Sequence, residues 1–302
     1  MTVREESDDS TEDHAAMRLM RVGPPGQERP AVLLPDGTAV DASPVAADYD
    51  TIFFASGGLD DLARAVEERR LEPLSANWIE GRLGPPTARP PKIVCVGLNY
   101  ADHARESGQT LPSEPSIFLK APYTLVGPND DVLIPRRSTK TDYEVELGVV
   151  IGRVARYLAD PSLAYEHIAG YCVSNDVSER EFQLERGGQW DKGKSCETFN
   201  PLGPWLVTPE EVGDPRRLQL TARVDGELRQ DGCTKDMAFG VDYLVWYLSQ
   251  FMVLEPGDLI NTGTPAGVGL GMNPPLYLRA GSVVELEIRG LGRQRQTFRN
   301  TE

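Results

Sequence analysis

Asp142-Tyr-Glu-Val-Glu-Leu-Gly-Val-Val-Ile-Gly152 is the stretch on which the fold turns. Side chains alternate faces along a β-strand, so Tyr143, Val145 and Leu147 share one face and Glu144 and Glu146 the other. The two glutamates then have Cβ atoms roughly 6–7 Å apart, from a rise of ~3.3 Å per residue. Placed just before the apolar run Val149–Ile151, two carboxylates on one face repel each other unless a cation lies between them. A hard divalent ion with oxygen ligands satisfies that pattern. Taken alone, the stretch also reads as an ordinary half-exposed strand with a solvated glutamate face.

Outward from it, strand-like runs recur at Met17–Val22, Pro30–Leu34, Lys92–Gly97, Ser116–Leu119, Asp131–Ile134, Ile168–Ser174, Leu218–Val224, Asp258–Thr262 and Val283–Arg289. Helical spacing is confined to residues 59–70, 178–186 and 240–252, the second opened by a Ser178/Glu181 capping-box pattern. Strands without regular helical alternation, with 29 glycines and 24 prolines in 302 residues, predict a β-rich α+β fold rather than a doubly wound sheet. Residues 1–16 carry six acidic side chains against Arg4 and little to bury, which predicts a disordered acidic tail. A small N-terminal domain is expected over 17–85, a Pro-rich linker over 86–91, and the main domain over 92–300.

The net charge of −15 argues against nucleic acid and anionic membranes as partners. It leaves room for a small anionic substrate, because a bound cation reverses the local field. Cys95, Cys172, Cys196 and Cys233 form no close pair, which fits neither a disulfide framework nor a zinc site and suggests a reducing, cytoplasmic setting. No run reaches the ~18 apolar residues of a membrane span. The stretch Gly263-Thr-Pro-Ala-Gly267-Val-Gly269 lacks the Lys-Ser/Thr of a phosphate loop, and Asn273-Pro-Pro follows it rather than a helix, so a nucleotide site is not expected.

A hard cation needs further oxygens, and Asp176, at the end of the run Ile168–Ser174, is the best third ligand; it also reads as a turn or helix-entry residue. His103 stands three residues before Glu106, neighbours on a helical turn. Glu106 could orient the imidazole as a general base, or the pair could be incidental on a surface turn. Lys194, in the Gly-rich segment after Trp190, reads either as a site cation or as an exposed lysine.

From about Lys92 to Phe298 the chain resembles the fumarylacetoacetate hydrolase family. The resemblance rests on Val96-Gly-Leu-Asn-Tyr-Ala-Asp-His103-Ala-Arg-Glu106, Ser116-Ile-Phe-Leu-Lys120, the 142–152 stretch, Asn175-Asp176, Gly188-Gln-Trp-Asp-Lys-Gly-Lys194-Ser, Asp225-Gly-Glu and Asn261-Thr-Gly-Thr264-Pro-Ala-Gly-Val-Gly269, in the family's order. It looks most like the branch acting on 2,4-diketo-3-deoxy sugar acids and acylpyruvates. The resemblance implies a mixed β-roll, normally a homodimer, with Glu144, Glu146 and Asp176 holding Mg²⁺ or Mn²⁺. It implies a catalytic dyad, His103 and Glu106, on a lid, with Lys194 helping to hold developing negative charge. Gln183 and Thr264 fall on substrate-contacting positions and Lys120 on a further polar one. Where the family pattern often has arginine, this chain has Leu98.

The implied reaction is hydrolysis of the C3–C4 bond of a 2,4-diketo acid, giving pyruvate and a carboxylic acid. The rivals within the family are an oxaloacetate decarboxylase and an isomerase or decarboxylase of a 2-oxo diacid, between which fold does not choose. A silent scaffold would be expected to have lost the base, yet His103 and Glu106 both stand here.

Overall fold

A computed structural model describes residues 16–75 and 78–302; the expected acidic tail lies outside them except for Ala16. Two sheets carry the β-rich α+β fold. The larger has nine strands in the spatial order Ala39–Asp41, Arg29–Leu33, Arg18–Val22, Leu206–Val207, Ile168–Asn175, Val145–Ile151, Leu259–Asn261, Ile93–Gly97 and Ser116–Lys120. It is mixed: Leu259–Asn261 runs parallel to Ile93–Gly97, whereas the other pairings are antiparallel. The smaller sheet orders Glu227–Cys233, Gln219–Val224, Val283–Ile288, Gly292–Asn300 and Val132–Ile134.

The central strand Val145–Ile151 shows how sequence places the site. Val145, Leu147, Val149 and Ile151 are fully buried and share one core with Leu220, Ala222, Leu286 and Phe298 of the smaller sheet. Burying four such side chains contributes roughly 6–12 kcal/mol gross, at ~1.5–3 kcal/mol each. That is comparable with holding two carboxylates out of water, which costs several kcal/mol per ion. The opposite face carries Glu146, Gly148 and Val150; Val150 packs with Ile93, Cys95 and Cys172 in a second core. A one-residue slip would exchange the two faces, so the apolar alternation fixes where the glutamates point.

Arg18 and Leu19 pair with Val207 and Leu206, so strands drawn from the 17–85 range and from the 92–300 range lie in one sheet. Helices Thr51–Ala55, capped by the Asp50 side chain, and Gly58–Glu67 cover this part, burying Phe53, Phe54, Leu62 and Ala63. The amphipathic segment predicted over 240–252 forms the helix Val241–Ser249.

The expected helix over 178–186 is corrected. Ser178 and Glu179 form a short strand against Asp142 and Thr141, and only Glu181–Glu185 is helical, as one π-type turn. Ser178 Oγ donates to the Asp176 carbonyl instead of capping a helix.

Candidate active site

Glu144, Glu146 and Asp176 each present a carboxylate oxygen within 4.8 Å of the others, and all three residues are buried. The solvated-face reading of the glutamates is therefore overturned. Glu144 immediately precedes the central strand and Asp176 follows the neighbouring one; the Asp176 N–H donates to the Glu144 carbonyl at 3.0 Å. The Glu144 N–H donates to Asn175 Oδ1 at 3.2 Å, and Asn175 Nδ2 donates to Gln296 Oε1 at 3.1 Å.

Cations answer most of this charge. Lys194 is also buried, and its Nζ lies 2.7 Å from both Glu144 Oε2 and Asp176 Oδ2. Arg180 sits between Asp142 and Glu144: Nε donates to Asp142 Oδ2 at 2.9 Å, and Nη2 is 2.8 Å from Glu144 Oε1, off the hydrogen-bond direction. Burial pushes the Glu144 carboxyl up, but Lys194 and Arg180 pull it well below the usual carboxylate range. The same burial disfavours the Lys194 ammonium, yet Asp176 and Glu144 hold its proton on more tightly than usual.

Glu146 is different. Its Oε2 accepts from the Gly263 N–H at 2.8 Å, and among the described residues no ion pair includes it. Burial, then the charges of Asp176 and Glu144, push its carboxyl well above the ordinary value. The cluster thus sets four carboxylates (Asp142, Glu144, Glu146, Asp176) against three cations (Lys120, Arg180, Lys194), with Glu146 left over. A divalent ion fits this site: three carboxylate oxygens are spaced as ligands of one hard cation, and Glu146 is a buried carboxyl without a cation partner, whose ionised form needs one.

His103 and Glu106 lie on the short helix Ala101–Glu106. His103 is buried, and its Nδ1 is 2.8 Å from Glu106 Oε1. The other oxygen, Oε2, accepts from the Gly267 N–H at 2.8 Å. The glycine-rich loop therefore serves the protein's own carboxylates: Gly263 holds Glu146, Gly267 holds Glu106, and the N–H groups of Gly269 and Leu270 hold Asp142 at 2.7 and 2.9 Å. Gly267 has φ 109°, and a Cβ there would lie 2.0 Å from the Arg229 carbonyl oxygen. Only glycine permits this approach.

His103, Glu144, Glu146, Gln183, Lys194 and Thr264 all line one cavity of about 150 Å³. Thr264 Oγ1 donates to the Val145 carbonyl, and Gln183 Oε1 accepts from Arg180. Lys120 does not join them. Its ammonium donates to Asp176 Oδ1 and to the carbonyls of Val177 and Phe199 at 3.1 and 2.6 Å, which engages all three of its N–H groups. Lys120, expected at a further polar position of the site, supports Asp176 from behind and is not among the residues that line the cavity. Leu98, at φ 56° in the left-handed region, is an apolar residue of the cavity wall, which Trp190 also lines.

Arg180 was not picked out from sequence as a site residue. The available signal was its spacing three residues before Gln183, which puts the two on one side of a helical turn. Asp142 lay in the quoted stretch, and its signal was there to read: it stands two positions before Glu144, the same spacing that pairs Glu144 with Glu146.

The sequence model of the fumarylacetoacetate (FAA) hydrolase C-terminal family matches residues 92–299. A Burkholderia multivorans protein, provisionally named a hydrolase, is 50% identical over 286 residues, covering 94% of this chain and 99% of that one. Among solved structures, the fumarylacetoacetate hydrolase of Exiguobacterium antarcticum is 36% identical, covers 94% of this chain and 100% of its own, and superimposes with a TM-score of 0.81. The maleylpyruvate hydrolase of Sphingobium sp. SYK-6, solved with manganese(II) and pyruvate, is 26% identical over 95% of this chain and 100% of its own, with a TM-score of 0.77.

Proposed function

The chain belongs to the fumarylacetoacetate hydrolase family, and we propose that it hydrolyses the C3–C4 bond of a 2,4-diketo acid, an acylpyruvate or 2,4-diketo-3-deoxy sugar acid, to pyruvate and a carboxylic acid. The observation that carries the reading is the juxtaposition in one cavity of His103, held from behind by Glu106, with Glu144 and Glu146, whose carboxylates cluster with that of Asp176. Glu144, Glu146 and Asp176 would hold Mg²⁺ or Mn²⁺. When bound, the ion supplies Lewis-acid polarisation of the substrate's 2-oxo oxygen and turns the local excess of negative charge into a positive one.

The chain's own residues supply the rest. Glu106, accepting at Nδ1, fixes the imidazole tautomer and leaves Nε2 as the basic nitrogen. That nitrogen takes a proton from water as its oxygen attacks the C4 carbonyl. When the C3–C4 bond breaks, its electron pair passes to the pyruvate fragment as an enolate whose charge the Lys194 ammonium helps to hold, and the proton on Nε2 then goes to C3, where that pair becomes the new C–H bond. Gln183 and Thr264 orient the substrate. A cavity of about 150 Å³ is of the size that admits a benzene-sized guest, which favours a short acyl group. The reading includes a homodimer in the cytoplasm; the four free thiols suit a reducing compartment, and no helix among the described residues is long and apolar enough to cross a membrane.

Purified protein with Mg²⁺, offered an acylpyruvate and oxaloacetate separately, tests the assignment. Pyruvate release from the acylpyruvate is expected. Consumption of oxaloacetate alone would replace hydrolysis with decarboxylation.

A further inference from the structure

Val145 lies between the two glutamates, and its backbone is held in an unusual way. The strand Leu259–Asn261 pairs with Val150, Val149 and Gly148 and then leaves. Thr262 still reaches the Leu147 carbonyl, through N–H at 3.2 Å and Oγ1 at 2.9 Å. At Val145, side chains take the place of the departed strand. The Val145 N–H donates to Gln230 Oε1 at 3.0 Å, and its carbonyl accepts from Thr264 Oγ1 at 2.9 Å. Gln230 Nε2 closes the circuit by donating to Thr264 Oγ1 at 2.7 Å and to the Pro265 carbonyl at 2.8 Å.

The direction of this carboxamide is dictated by its partners. An N–H faces one end and a carbonyl the other, so the oxygen must meet Val145 and the nitrogen Pro265. Gln230 is fully buried and comes from Glu227–Cys233, at the edge of the other sheet. Directly at the Val145 N–H, and through Thr264 Oγ1 at the Val145 carbonyl, it therefore joins the smaller sheet to the two peptide groups that separate Glu144 from Glu146.

We infer that Gln230 is a positioning residue of the site: it replaces the missing strand partner at Val145, fixing the spacing of the Glu144 and Glu146 carboxylates and the orientation of the Thr264 hydroxyl. The functional half of this inference rests on the reading of the carboxylates as an ion site. Buried groups behind metal ligands, when removed, typically weaken metal affinity by about 10–100-fold.

The full chain with Gln230→Met, similar in length but without donor or acceptor, is compared with Gln230→Glu, which keeps the acceptor for Val145. Hydrogen exchange at the Val145 amide is followed without metal, and Mn²⁺ affinity by calorimetric titration. Gln230→Met should exchange Val145 faster and bind Mn²⁺ about 10–100-fold more weakly, while Gln230→Glu keeps the amide protected. A folded Gln230→Met protein with unchanged exchange or unchanged Mn²⁺ affinity would overturn the inference. Should Gln230→Met not fold, an unprotected Val145 amide in Gln230→Glu overturns it and a protected one supports it. Failure of the wild-type protein to take up Mn²⁺ would instead count against the ion site, with the exchange data still deciding whether Gln230 holds Val145.

Discussion

Gly271 approaches Glu106 so closely that a Cβ built on it would lie 2.5 Å from the carboxyl carbon and from Oε2. The contact is with the end of a flexible side chain, so an added methyl displaces the carboxylate more readily than it disturbs the backbone. Displacement breaks both the His103 contact and the bond from Gly267. Gly271→Ala should therefore leave the melting temperature nearly unchanged while lowering turnover by about 10²-fold, the scale of a misplacement near 1 Å. Steady-state kinetics beside a thermal melt check this; full activity would mean that Glu106 is not needed where it stands.

His103 separates base catalysis from ion binding. Its replacement in His103→Ala touches none of the three clustered carboxylates, so Mn²⁺ affinity should be preserved. Hydrolysis should fall by about 10²–10⁴-fold, the usual contribution of a general base. Undiminished hydrolysis would assign water activation to another group.

Lys120 offers a contrast between two roles for one buried lysine. A substrate contact would show itself as a raised KM with stability intact. A support for Asp176 predicts the reverse, because removing one partner of a buried ion pair costs about 3–5 kcal/mol. Lys120→Met, followed by denaturant unfolding, should lose stability on that scale.

The legible part of this molecule was the part whose information is local. The Tyr143/Val145/Leu147 alternation foretold the buried face, and the i, i+3 spacing of His103 and Glu106 foretold a contact that the structure shows at 2.8 Å. What sequence did not yield depends on partners far apart in the chain. Lys120 was placed at a polar site position by the family resemblance alone, and the acceptors that engage it, Asp176, Val177 and Phe199, lie 56 to 79 positions away. Gln230 carried no signal, since its role exists only where one sheet meets the edge of another. The Ser178/Glu181 capping pattern failed because Ser178 was taken into a strand pair with Asp142, an interaction no local rule weighs.

Glu146 should make the effect of the ion depend on pH. Burial, with the charges of Asp176 and Glu144, raises its carboxyl above the ordinary 4.5 in the folded protein. A raised folded value means stability that is complete below the unfolded value and is lost as pH rises through the folded one. In the metal-free protein this carboxyl therefore weighs increasingly against the fold toward alkaline pH. An ion competes with that proton, so binding strengthens in the same direction. Mn²⁺ should raise the melting temperature more at about pH 8 than at about pH 5.5, with chelator reversing the gain. Glu146→Gln removes the titrating group: it should flatten this slope and weaken Mn²⁺ binding. An equal rise at both pH values in the wild-type protein, or an unaltered slope in Glu146→Gln, would show that the uncompensated charge does not reside on Glu146.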